Sequence, residues 1–167
     1  MRPVISLFLP SLVAVVVLGN PALLAQAPSH HESDPLIGKW VLNPSKSTFK
    51  PGPGPIRDIR TYARGPNGLV GTIQRTFADG RSQQIEYIAE YDRVYPVTGT
   101  DEYDHLLLKR VDDFTAEAVL SHADRVYGTA RRRISPDGKT MTITFSQNLG
   151  GAGVPVTNVS VYEKEDE

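Results

Sequence analysis

The sequence predicts an all-β fold, an antiparallel up-and-down β-barrel of eight to nine strands, and three observations carry that prediction. Short β-prone segments separated by turn residues repeat from Ile37 to the end of the chain. No window long enough for a helix shows an apolar repeat of 3.6 residues. The segments are joined mainly by tight turns, and a long meander loses its exposed edges by closing on itself. An immunoglobulin-like sandwich is the alternative. It needs long crossovers, which only "VYPVTGTDEYDH" (94–105) and "LGGAGVP" (149–155) could supply.

At the start of the chain, Arg2 precedes an apolar run from Val4 to Leu18, followed by small residues at Ala25 and Ala27. Residues 1–27 read as a secretory signal peptide, cleaved after Ala25 or Ala27. Pro10 interrupts the run, which is shorter than the roughly 20 residues of a membrane helix. The expected location is therefore periplasmic or secreted, with no membrane span after signal removal. Residues 28–36 form a polar leader, whose adjacent His30 and His31 read as solvated side chains rather than metal ligands. Residues 37–164 make one domain by length, and 165–167 are an acidic tail. The absence of cysteine fits an exported domain large enough to need no disulfide.

Eighteen basic residues against nineteen acidic ones give a net charge of −1. Nucleic acid and anionic membrane surfaces call for a basic excess and are not expected as partners. The one basic run, Arg131 to Arg133, is divided between two faces if it lies on a strand.

Strands are placed at 37–42, 56–64, 69–78, 81–91, 105–111, 114–122, 125–134, 139–148 and 155–164. Asp137-Gly138 between "RRRI" and "MTITFS" is the clearest hairpin turn, with "GPNG" (65–68) and "ADGR" (78–81) of the same kind. "PGPGP" (51–55) cannot sit inside a sheet and reads as an extended connector, and "NPSKS" as a short helical turn. Alternation assigns the buried faces. Met141, Ile143 and Phe145 share one, opposite Thr140, Thr142 and Thr144. Ile85, Tyr87, Ala89 and Tyr91 share another, opposite Gln84, Glu86 and Glu90.

Gly38-x-Trp40 in the first strand resembles the G-x-W opening of lipocalins, in which the indole packs across the closed end of the barrel, often against an arginine from a late strand. On that resemblance, Gly38 and Trp40 form a barrel-end plug. A closer likeness is to a group of secreted bacterial lipocalin-like proteins of uncharacterised function. It rests on "GKWVLNPSKSTF", "YDRVYPVTG" (91–99), "LKR" (108–110), "SPDGKTMTIT" (135–144) and "VSVYEK" (159–164). This resemblance implies a barrel fold and export, and names no ligand. The lipocalin T-D-Y loop motif is not matched in place, since "TDEY" (100–103) has an extra residue and comes too early in the strand order.

Two arginines share predicted inner faces with apolar residues: Arg75 with Leu69, Ile73 and Phe77, and Arg132 with Val126, Ala130 and Ile134. A buried guanidinium needs a carboxylate, carbonyl oxygens, water or an anionic ligand. The functional reading is a ligand-binding set of Arg75, Phe77, Tyr87, Arg132 and Phe145, taking a small, largely apolar molecule with an anionic head, such as a fatty acid. Gly71 and Gly128, on the same faces, would leave room for it. The structural reading has one arginine stacked on Trp40 and the other paired with an acid, the glycines marking strand bends. The acidic loop "TDEYDH" lacks the spacing of a known metal motif and reads as solvated.

No G-x-S-x-G elbow, cysteine nucleophile or phosphate-binding loop is present, so no catalytic residue, metal or cofactor is expected. The expected function is an exported small-molecule binder. The alternative is a barrel filled by its own side chains that acts as a structural or interaction module, since an eight-stranded barrel is just wide enough for either. An enzyme built on a pocket of the same kind is a third, weaker reading.

Overall fold

The computed structural model describes residues 34–123, 125–147 and 156–165. The expected signal peptide, His30 and His31, most of the leader, the 149–155 connection and residues 166–167 lie outside them. The chain is all-β and folds into a nearly closed antiparallel barrel. Its strands are β1 (Gly38–Leu42), β2 (Thr48–Lys50), β3 (Arg57–Gly65), β4 (Gly68–Thr76), β5 (Ser82–Ala89), β6 (Val94–Pro96), β7 (His105–Arg110), β8 (Thr115–His122), β9 (Arg125–Ile134), β10 (Thr140–Gln147) and β11 (Val156–Lys164). Among the described residues no helix is long and apolar enough to cross a membrane.

Among the described residues, eleven strands replace the eight or nine expected. The two additions, β2 and β6, are three residues each, too short to show alternation, and β6 ends in Pro96, a residue that argues against a strand. β2 is in effect a continuation of β1. A 3-10 turn at Pro44–Lys46, capped by the Asn43 side chain, breaks the first strand, and its two halves pair with opposite ends of β11.

The strands follow the order β5-β4-β3-β1-β11-β10-β9-β8-β7-β6, so that only the seam between β5 and β6 remains to be joined. Two backbone hydrogen bonds, Glu86 N–H to Thr98 O (3.1 Å) and Thr98 N–H to Glu86 O (3.0 Å), bridge it just beyond β6. Gly99 makes this approach feasible. Its φ is +84°, and a Cβ there would overlap the Gln84 carbonyl oxygen.

The interior divides into two zones. At one end Leu36, Trp40, Ile85, Ile134, Met141 and Tyr162 fill the barrel, each buried to 3% exposure or less. Trp40 Nε1 donates to Leu36 O at 2.8 Å. The cation over its ring is Lys164, with Nζ 5.2 Å from the centroid, and not an arginine. Register explains this, because Lys164 stands directly opposite Trp40 on β11. Gly38 has φ +129°, and a Cβ there would lie 2.7 Å from Lys164 Cε. The glycine thus leaves space for the lysine stem to reach the indole.

One residue of a predicted inner face is misplaced. Val126 is 67% exposed on the outside of the barrel, and Tyr127 points inward in its place. Between Leu120↔Gly128 and Ser121↔Val126 the pairing skips a residue of β9, and such a bulge reverses the faces beyond it. Ala130, Arg132 and Ile134, on the other side of the bulge, keep their inward direction.

Candidate functional site

At the end away from Trp40 the barrel holds a cavity of about 310 Å³. That is near the lower limit of ordinary ligand pockets, roughly 300–1,000 Å³. Arg75, Phe77, Tyr87, Arg132 and Phe145 all line it. Strands β4, β5, β9 and β10 supply four of these side chains, and Phe77 follows directly on the end of β4.

Their roles in the fold differ. Arg75 is already engaged: its Nε donates to Asp58 Oδ2 at 2.9 Å, and its Nη1 approaches Gln83 Oε1 at 3.5 Å. Asp58, 1% exposed, also accepts from Arg60 through Nε (3.2 Å) and Nη2 (3.3 Å). Burial alone would push the Asp58 carboxyl up, but Arg60 and Arg75 together outweigh it and hold the group below its usual value. Burial likewise opposes the charge on Arg60, and the Asp58 carboxylate reverses that effect and raises its pKa. The Arg60 guanidinium lies over the Tyr162 ring at 4.9 Å. One carboxylate therefore serves two guanidinium groups and leaves a positive excess.

Arg132 adds to that excess. It rests over the Tyr62 ring at 5.4 Å and donates from Nη2 to the Tyr91 hydroxyl at 3.4 Å. Among the described residues it has no ion pair. A cation partly buried against aromatic rings, with no carboxylate within ion-pair distance among the described residues, is a ready site for an anion.

Tyr87 is held protonated. Burial, then the neighbouring Tyr62, raises its phenol well above the ordinary value, so its hydroxyl is available as a donor. The two inward glycines do not leave room for a ligand. The Tyr87 ring lies across Gly71, where a Cβ would strike it, and a Cβ on Gly128 would come within 2.7 Å of the Phe145 ring. The glycines let the aromatic walls lie flat against the sheet.

Reading the sequence missed Asp58, Arg60, Tyr62, Tyr103 and Tyr127, all of which line the cavity. On β3 the polar residues Asp58 and Arg60 face inward with Tyr62, a pattern that alternation assigns to the wet side. The available signal was the "DxR" pair itself, in which two opposite charges share one strand face. Tyr103 comes from a loop with no period to read, and Tyr127 is the bulge residue. Its hydroxyl donates to Glu102 Oε2 at 3.2 Å at the rim. Elsewhere in that acidic loop, Asp104 ties His105 Nδ1 at 2.8 Å and accepts from Ala123 N–H at 3.2 Å. These contacts brace the loop against the β8–β9 turn.

The arrangement can therefore bind: it has apolar aromatic walls, phenolic donors and three guanidinium groups around one buried carboxylate, Asp58, with Glu102 and Glu117 more exposed in the lining. Comparison with known proteins supplies nothing further, since no family model matches the chain and no curated protein matches it.

Proposed function

We propose that this protein is an exported, lipocalin-like barrel that binds a small, largely apolar molecule with an anionic head. The observation that carries the reading is the cavity lined by Arg60, Arg75 and Arg132, in which Asp58 is the one buried carboxylate among the described residues and is held by Arg60 and Arg75. A volume of about 310 Å³ favours a binder over a barrel filled by its own side chains. The apolar run at Val4 to Leu18 and the small residues at Ala25 and Ala27 support export.

Ala130 offers the test. It lines the cavity opposite Phe145 in register, so Ala130→Phe places a ring in the cavity without removing any polar contact. Wild type and variant are each incubated with an organic extract of the source cells, gel-filtered and analysed by mass spectrometry. Retention of a discrete compound by wild type and its loss from a folded variant is the expected result. Equal retention by both, or none by either, would overturn the reading.

A further inference from the structure

We infer that the ligand is a compact, ring-bearing monocarboxylate rather than a long-chain fatty acid, and that Arg132 sets the head-group preference. The inference rests on the binding role proposed above and narrows its chemistry.

Size comes first. A cavity of about 310 Å³ lies at the small end of ligand pockets, roughly 300–1,000 Å³, which favours a compact ligand. An aryl acid such as cinnamate suits a cavity at that end of the range better than the extended chain of hexadecanoate.

The shape of the wall points the same way. Tyr103, Tyr127 and Phe145 form a continuous aromatic row, with centroid separations of 5.7 and 6.0 Å and interplanar angles of 37° and 33°. They present ring faces and edges to the cavity that suit another ring in offset contact. A flexible chain would lose rotamer freedom on ordering against the same wall.

Charge selects the head. Arg60 spends two donors on Asp58, and Arg75 spends its Nε. Arg132 is the cavity guanidinium with no ion pair among the described residues, and a planar carboxylate matches its fork. A dianion would have to draw on Arg75 as well, at the expense of an Asp58 that is 1% exposed, and Glu102 at the rim repels a second negative charge.

The test is calorimetric titration of the mature chain with trans-cinnamate, trans-cinnamamide, phenyl phosphate and hexadecanoate. Cinnamate should bind one equivalent, roughly tenfold or more tighter than the neutral amide or the phosphate, and at least as tightly as hexadecanoate. Arg132→Met should lower cinnamate affinity by a similar factor and leave cinnamamide unchanged. Comparing acid with amide on wild type gives the charge result even if that variant does not fold. Tighter binding of hexadecanoate or phenyl phosphate would overturn this inference and leave the binding role standing. Failure of all four probes, when a discrete compound is still recovered from cell extract, would do the same. Failure of the probes with nothing recovered from extract would overturn both.

Discussion

Asp58→Asn removes one charge from the interior with almost no change of shape. Asp58 is 1% exposed, and its two oxygens accept from Arg60 at 3.2 and 3.3 Å and from Arg75 at 2.9 Å. The asparagine keeps one acceptor but turns an amide N–H₂ toward guanidinium donors, which leaves two largely buried cations without a counter-charge. Breaking a buried pair from one side costs about 3–5 kcal/mol, a large share of the roughly 5–15 kcal/mol that keeps a domain folded. For a domain of this size that corresponds to a fall in Tm of about 10–20 °C, read by circular dichroism at pH 7. The pH dependence adds a second check. The folded Asp58 carboxyl is held below its usual value, so its stabilisation is complete above the unfolded pKa of about 3.9 and is lost as pH falls through the lower folded value. The Tm gap between wild type and variant should therefore close in acid. A gap below about 3 °C at pH 7, or one that persists unchanged in strong acid, would refute the reasoning. Asp79→Asn is the control, because Asp79 pairs with Arg81 on the exposed β4–β5 turn and its loss should leave Tm near wild type.

Gly99→Ala should open the β5–β6 seam, because φ +84° disfavours a side chain and the new Cβ would overlap the Gln84 carbonyl. A loss on the order of 2–4 kcal/mol in urea denaturation is expected, with faster amide exchange at Glu86 and Thr98; unchanged exchange there would contradict the seam assignment. The Tyr127 phenol, pushed up to about 12 by burial and then by the Glu102 carboxylate, should titrate lower in Glu102→Gln, as followed by ultraviolet absorbance against Tyr127→Phe. A midpoint that does not move would mean that burial alone sets it.

What the sequence reveals depends on how local the cause is. The hairpins at Asp137-Gly138 and Pro66-Asn67 follow from turn chemistry, and the inward direction of Ile73, Arg75 and Phe77 from the two-residue period of one strand. Nine of the eleven strands were legible in this way. β2 and β6 were not, because pairing with β11 and β7 makes them strands, and three residues carry no period. Val126 failed for a related reason: a bulge is set by the partner strand, and it reversed the local face and brought in Tyr127. The candidate cavity was half legible. An arginine among apolar residues announces a partner, and the strand facing it supplies Asp58. Because Asp58 and Arg60 satisfy each other, they look on the sequence like an ordinary wet face. The lysine over Trp40 likewise needed the β1–β11 register to be known.

Native mass spectrometry of the protein purified from its own source cells, followed by organic extraction, tests the central claim most directly. The account predicts a discrete adduct of one small molecule, reproduced in the extract and carrying an acidic group. A bare mass that stays bare after incubation with a mixed lipid and metabolite extract would contradict it.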